Sequence, residues 1–212
     1  MASFAFLFAL MLRGKSLLLL SLLSVFACGR DKKSSSDNSL LRWEDGAQIP
    51  LQFNISVPNT YQNSVKDAAS RQNDLMRKTA FYFKGSSFQT NSNSTSSKVI
   101  SGDGVNGIYF TDSSLEATES SSHPDAITYT VSIEGKIIEC DIVFKKSSIL
   151  SASDQDGTLE VLALHELGHA LGLTHSGDSK NIMFEKVAPS LLNSPFTNDY
   201  YSEMQKRYEL KI

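Results

Sequence analysis

The feature that most restricts the fold of this chain is the string at residues 165–175, which reads HELGHALGLTH. It holds three of the four histidines in a chain of 212 residues. The apolar pattern around it predicts a helix that begins near Thr158 and runs into the string. His165 and His169 are four residues apart, so on this helix they lie on one face, one turn apart. Two imidazoles in this arrangement can bind one zinc ion.

The rest of the string supplies what a hydrolytic zinc site needs. Glu166 directly follows the first histidine, so its carboxylate lies beside the metal and can accept a proton from the attacking water. Gly172 can adopt a positive φ and turn the chain sharply, which brings His175 back towards the metal. Three protein ligands leave one zinc position open, as catalytic zinc requires. We therefore predict His165, His169 and His175 as metal ligands and Glu166 as the catalytic base.

Length, charge and cysteine content limit the other classes of function. A chain of this length suits one domain with a hydrophobic core better than two domains. The formal net charge is −3, so nothing indicates a basic surface that binds nucleic acid. Cys28 and Cys140 are the only cysteines, too few for a disulfide framework. We expect a monomer that does not bind nucleic acid.

The N-terminus has the features of an export signal. Residues 1–27 contain no acidic residue, and two basic residues precede an apolar run that ends in small residues, which is typical of a secretory signal peptide. The string SVFAC at 24–28 is similar to the cleavage site of bacterial lipoproteins, in which the cysteine becomes lipidated. We predict lipidation at Cys28 and a membrane anchor at the outer membrane or cell surface. An ordinary signal peptide that is cleaved near Ala27 is the alternative.

The remaining sequence divides into a tether and one folded domain. Residues 28–40 are polar and serine-rich and predict a flexible tether, which leaves 41–212 for the domain. Alternating apolar residues and turn signals predict strands at 49–57, 81–85 and 106–112 and a hairpin over 127–144 that turns at Glu134-Gly135. Helical periodicity predicts three helices, at 61–80, from near Thr158, and at 198–210. Strands grouped before helices indicate an α+β domain.

The histidine string and a methionine at position 183 together resemble the metzincin zinc peptidases, and within them the matrixins. Ser176 after the third histidine and NIMF at 181–184 are similar to the matrixin methionine turn. The segments RWEDGAQIPLQF, NGIYF, IIECDIVF and NDYYSEMQKRY are similar to the start, the later strands and the final helix of that domain. The resemblance covers residues 41–212 and is strong in 162–184.

This resemblance implies a zincin-type α+β fold with one catalytic zinc ion. The sheet would be twisted and mostly parallel, with five strands, one antiparallel edge strand and three helices, and the active-site cleft would cross the middle. Met183 would form a floor beneath the histidines. The implied activity is endopeptidase cleavage of extracellular or envelope proteins, with the substrate laid as an extra strand along a sheet edge. The sequence contains no Asp- and His-rich segment for the second, structural zinc site of animal matrixins.

Several alternatives remain open. The domain can be a catalytically silent peptide-binding surface lipoprotein, although the intact Glu166 argues against this. The string DQDG at 154–157 is a weak calcium pattern, and a helix-start loop accounts for it equally. Cys140 is interpreted as a buried structural cysteine, and its alternative is a thiolate that inhibits the zinc. Phe184 and Val187 lie in the segment expected to line the substrate pocket and indicate an apolar wall.

Overall fold

The computed structural model describes residues 40–77, 80–89, 102–113, 115 and 124–209, together with the backbone of Ser24–Ala27. Cys28 and most of the predicted signal peptide and tether lie outside the described residues, so these three assignments stay predictions. Within the described part of the chain, no helix combines the length and the apolar character needed to cross a membrane.

One mixed β-sheet forms the frame of the domain. Its strands are β1 (Ser24–Ala27), β2 (Ile49–Phe53), β3 (Phe81–Phe83), β4 (Asn106–Thr111), β5 (Ala126–Ile133) and β6 (Lys136–Lys145). Their order across the sheet is β1-β5-β6-β4-β2-β3. Strands β3, β2, β4 and β6 are parallel, and β5 is antiparallel to β6. Strands β2 to β6 thus confirm the predicted mostly parallel five-stranded sheet with one antiparallel strand.

Strand β1 is an addition that the sequence did not lead us to expect. It comes from the predicted signal peptide and pairs antiparallel with the outer side of β5. The pairing runs from Ser24 opposite Ser132 to Ala27 opposite Tyr129. The outer edge of β5 therefore accepts a further antiparallel strand.

The hairpin between β5 and β6 turns where the sequence predicts. Glu134 and Gly135 both have positive φ, at 52° and 77°. Two successive positive φ values define the tight turn whose twist matches that of the flanking strands. The register of β5 against β6 therefore follows from this local turn together with the buried faces of the two strands.

Three predicted helices are present, and a short fourth one is new. The helices are α1 (Asn59–Met76), α2 (Lys146–Leu150), α3 (Gln155–Ala170) and α4 (Asn198–Tyr208), and a 3₁₀ turn spans Pro189–Asn193. Helix α2 is not predicted from the sequence, because five residues are too few to show a helical period. Thr197 caps α4, its side chain accepting a hydrogen bond from the backbone N–H of Tyr200.

The start of α3 gives the aspartates of DQDG a structural role. Asp154 is the N-cap, and its Oδ1 accepts a hydrogen bond from the Gly157 N–H at 2.9 Å. Asp156 lies in the first turn, where negative charge is favourable. These contacts support the helix-start interpretation of the string.

The hydrophobic core lies between the sheet and helices α1 and α3, which pack against each other. Leu51, Ile108 and Phe144 contribute fully buried side chains from the strands, and Leu164 contributes one from α3. Helix α3 is buried along most of its length from Leu159 to Ala170, so its polar residues are held in an apolar surrounding. This burial shapes the chemistry of the histidines and of Glu166.

A polar residue interrupts the apolar stripe of α1 for a structural reason. Gln72 is fully buried, and its Oε1 accepts a hydrogen bond from the hydroxyl of Tyr200 on α4 at 2.8 Å. Buried polar groups are normally hydrogen-bonded, and here the hydrogen bond of Gln72 joins α1 to α4 through the core.

Candidate metal centre

The structure brings the three predicted metal ligands together. One ligand atom from each of His165, His169 and His175 lies within 4.8 Å of the others. The ring centroids are 4.6 Å apart for His165 and His169, 5.3 Å for His165 and His175, and 4.9 Å for His169 and His175. His165 and His169 are buried, whereas His175 is exposed, so the cluster opens to solvent on the side of His175. Among the described residues this is the one group of at least three such side chains that can hold a metal ion.

Backbone carbonyls select the ring atoms that face the centre of the cluster. Nδ1 of His165 is 2.7 Å from the carbonyl oxygen of Ile182, and Nδ1 of His169 is 2.8 Å from that of Leu173. A carbonyl oxygen only accepts hydrogen bonds, so each Nδ1 carries the proton and donates it. In a neutral ring the lone pair is then on Nε2.

The charge state and geometry of the two rings fit a cation. Burial lowers the pKa of His165 to about 4 and lowers that of His169 well below its ordinary value, so both rings are neutral near pH 7. Their Nε2 atoms are 2.9 Å apart. Two lone pairs at this distance repel each other unless a cation lies between them and His175. Neutral imidazoles that donate from Nδ1 and coordinate through Nε2 are the usual donor set of a zinc site.

The end of α3 delivers the third histidine, as the glycine predicts. Gly172 has a φ of 87°. Its N–H donates to the carbonyl of His169 at 2.8 Å, and the N–H of Leu173 donates to that of Gly168 at 3.0 Å. These two bonds form the Schellman motif that ends a helix at a left-handed glycine. The chain reverses there, which confirms the predicted turn and returns His175 to the other two rings.

Met183 packs against Gly168, the residue before His169 on α3. A Cβ built on Gly168 would lie 2.3 Å from the Met183 Sδ, so the methionine occupies the space that a larger residue would need. The carbonyl of Met183 accepts a hydrogen bond from the Ser176 N–H at 2.8 Å. Asn181, which is buried, accepts from the Met183 N–H through its Oδ1 at 2.9 Å. One hydrogen bond thus lies within the methionine turn, residues 181–184, and another joins the turn to Ser176, which follows His175.

Glu166 is held by a hydrogen bond from Thr128, a residue that the sequence does not predict as part of the site. It is only 4% exposed, and burial raises the pKa of its carboxyl to about 7. The Thr128 hydroxyl, from β5, donates to Glu166 Oε2 at 2.6 Å. A carboxyl with a pKa near the working pH suits proton transfer in both directions.

Other residues of the site also escaped prediction. Gly168, Thr128 and the carbonyls of Ile182 and Leu173 all contribute to the geometry. Only Gly168 left a signal in the sequence, as a glycine inside an otherwise strong helix, where glycine is unfavourable by about 1 kcal/mol.

The thiol of Cys140 is not suited to bind the metal. It is buried in β6 at 1% exposure, and burial raises the pKa of its thiol well above the ordinary value. A thiol that stays protonated is a poor metal ligand. This supports the structural interpretation of Cys140 over the inhibitory one.

The sequence profile of the matrixin family, peptidase M10, matches residues 47–209. Macrophage metalloelastase of Oryctolagus cuniculus is 52% identical over 44 residues, which cover 21% of this chain and 10% of that protein. Metalloendoproteinase 1 of Glycine max is 38% identical over 63 residues, 30% of this chain and 19% of that protein. Matrix metalloproteinase-26 of Homo sapiens is 49% identical over 41 residues, 19% of this chain and 16% of that protein. The matched segments thus span about a fifth or less of these relatives.

A similar fold is known among solved structures. The crystal structure of archaemetzincin from Methanopyrus kandleri superposes with a TM-score of 0.50 at 15% sequence identity. The superposition covers 76% of this chain and 96% of that one. At this identity the likeness concerns the fold alone.

Proposed function

Because this chain belongs to the matrixin family of zinc metallopeptidases, we propose that it is an endopeptidase that hydrolyses extracellular or envelope proteins. The observation that carries the proposal is the convergence of three imidazoles beside one buried carboxylate. His165, His169 and His175 meet within 4.8 Å, and Glu166 follows the first of them on the same helix. The proposal includes that the enzyme is a monomer.

The division of labour between these residues follows from their surroundings. The three histidines would hold zinc through nitrogen atoms whose orientation the Ile182 and Leu173 carbonyls support. Bound zinc would supply a Lewis acid that polarises the scissile carbonyl and lowers the pKa of water. Glu166 would take a proton from the attacking water as the new C–O bond forms. It would then pass this proton to the amide nitrogen as the C–N bond breaks.

The substrate would lie along the outer edge of β5. This edge pairs antiparallel with Ser24–Ala27, which supports its capacity to hold an extended peptide by main-chain hydrogen bonds. The partly buried Phe184 and Val187, after the methionine turn, support an apolar wall beside the scissile bond. A preference for apolar side chains at that position is therefore part of the proposal.

We further propose that the enzyme acts outside the cytoplasm as a lipoprotein anchored through Cys28. The signal-like segment 1–27 and the string SVFAC support this location. The polar residues 28–40 would then act as the tether between membrane and domain.

Peptide digestion with metal control tests the proposed function. The purified protein should cleave casein or an unstructured peptide library, lose this activity after chelation, and regain it with added zinc. Cleavage sites read by mass spectrometry should lie within the peptides rather than only at their ends. Zinc-loaded protein that binds peptides without cleaving them would instead show a catalytically silent binding domain.

A further inference from the structure

The carboxylate of Glu166 is tied to the sheet by one hydroxyl. Thr128 Oγ1 lies 2.6 Å from Glu166 Oε2 and 3.1 Å from the Glu166 carbonyl oxygen. Both residues are buried, Thr128 at 2% exposure and Glu166 at 4%. Among the described residues, Thr128 provides the side-chain hydrogen bond that acts on this carboxyl group.

A buried carboxylate without such a bond has no defined orientation. The terminal torsion of glutamate is broad and roughly two-fold, so rotamer preference alone does not decide which oxygen faces the metal centre. A hydroxyl donor bonded to one oxygen removes this ambiguity, because a hydrogen bond to a charged group is short and directional. With Oε2 engaged by Thr128, Oε1 is the oxygen left for the water and for the departing amide nitrogen.

Thr128 lies on the same strand that is proposed to pair with the substrate. It lies on β5, next to Tyr129, which pairs with Ala27 at the outer edge of that strand. The same strand would therefore align the substrate through its backbone and orient the base through a side chain. A fixed distance between scissile bond and base follows from the rigidity of this single element.

We propose that Thr128 is a positioning residue of the peptidase reaction, whose hydroxyl holds Glu166 Oε2 so that Oε1 faces the attacking water. The inference rests on the proposed function, in which Glu166 is the base. Thr128 itself touches neither substrate nor metal ligand in this role, so it acts through Glu166.

Three variants of β5 test the inference. Thr128→Val removes the hydroxyl at almost constant shape, Thr128→Ser retains it, and Thr130→Val is the matched control. Thr130 is two residues along on the same face of the strand and is also buried, at 5% exposure. We expect Thr128→Val to lower kcat about 10- to 100-fold, the range for a hydrogen bond to a charged group, with KM and zinc content unchanged. Thr128→Ser should restore most of kcat, and Thr130→Val should stay near wild type.

A second measurement separates positioning from a structural role. In the background of Glu166→Ala, the change Thr128→Val should cause no further loss of residual hydrolysis, because a residue that acts through Glu166 has nothing left to position. If Thr128→Val does not fold, Thr128→Ala removes the same hydroxyl and carries the test. A structural role would show instead as equal losses of zinc and melting temperature in Thr128→Val and Thr130→Val at unchanged kcat per bound zinc.

The results also distinguish failure of the inference from failure of the proposed function. Wild-type kcat in zinc-loaded Thr128→Val, or no recovery in Thr128→Ser, overturns the role of Thr128 while wild-type hydrolysis keeps the enzyme assignment intact. Absence of hydrolysis by the zinc-loaded wild-type protein overturns the proposed function and, with it, the inference that depends on it.

Discussion

The carbonyl oxygen of Leu41 lies directly against Gly172. A Cβ built on this glycine would lie 2.1 Å from that oxygen. The first residues of the domain therefore pack directly against the turn that precedes His175. The surrounding contacts fix this turn further. Trp43 Nε1 donates to the Ala170 carbonyl at 2.7 Å, and the Tyr208 hydroxyl donates to the Leu171 carbonyl at 2.8 Å. The carbonyls of Ala170 and Leu171, which the end of a helix leaves unpaired, are thus satisfied by side chains from both ends of the domain.

Replacing Gly172 tests how tightly this turn is held. Gly172→Ala should destabilise the fold through both its positive φ and its clash with the Leu41 backbone. Gly46→Ala is the matched control, because Gly46 has a similar φ of 76° but nothing within 4 Å of its Cβ position. The control should cost about 1–2 kcal/mol for the left-handed conformation alone, and Gly172→Ala about 1–3 kcal/mol more. Chemical denaturation and zinc content would measure both, and equal losses in the two variants would contradict the steric role of Leu41.

Substitution of Glu166 should abolish hydrolysis without loss of zinc, whereas substitution of a histidine should abolish zinc binding. Glu166→Ala should keep zinc and the fold and lose at least about 10²–10⁴-fold in peptide hydrolysis, the usual contribution of a general acid–base group. His169→Ala or His175→Ala should lose zinc affinity and thermal stability, because metal that binds only the folded state stabilises it. Zinc analysis by mass spectrometry and turnover of a quenched-fluorescence peptide measure both effects. Near wild-type cleavage by Glu166→Ala, or loss of its zinc, would rule out the role of Glu166 as the base.

Asp141 makes the stability of the fold depend on pH. It is 1% exposed and accepts a hydrogen bond from the Gly107 N–H at 2.9 Å. Burial, with a smaller contribution from Glu139, raises the pKa of its carboxyl from 3.8 to about 8. Between these two values the folded state binds a proton that the unfolded state lacks, so stability falls as pH rises through this window.

Asp141→Asn removes this titration while keeping an acceptor for Gly107. The variant should gain about 1–3 kcal/mol in unfolding free energy over wild type at pH 8, and the gain should shrink towards pH 4. Urea denaturation at a series of pH values measures the difference. Asp67→Asn, on the exposed face of α1, is the control. A gain that is constant with pH would show that Asp141 is ionised in the folded protein.

Cys28→Ser tests the proposed membrane anchor. Wild-type protein should fractionate with membranes and carry an acyl mass on its N-terminal peptide, because several acyl chains on one residue bind a bilayer stably. Cys28→Ser should leave the domain in the soluble fraction. Cys140→Ala changes the other cysteine of the chain, in the buried strand β6, and should not alter fractionation. Membrane retention of Cys28→Ser without any acyl mass on the wild-type protein would refute the anchor.

The sequence by itself determined those features whose physics is local. The spacing of His165 and His169 places two rings on one helical face whatever surrounds the helix, since the helical period is fixed. Gly172 marked a left-handed turn, and Glu134-Gly135 marked the hairpin, because positive φ is unfavourable for most other residues. The number and order of the longer elements followed in the same way from periodicity. The short helix α2 did not, since five residues are too few to show a period, and β1 did not, because its residues belong to the predicted signal peptide.

The tertiary structure alone decided how the site is supported. Thr128 and Glu166 are 38 residues apart in the chain, and no local pattern connects a threonine in a strand with a glutamate in a helix. The same holds for the Ile182 carbonyl on His165, for Met183 on Gly168 and for Leu41 on Gly172. Such contacts depend on how the packed core sets α3 against β5 and the methionine turn, to within a fraction of an ångström. Local periodicity specifies which face of an element is apolar, and only close packing of the whole core specifies which atoms on two such faces meet.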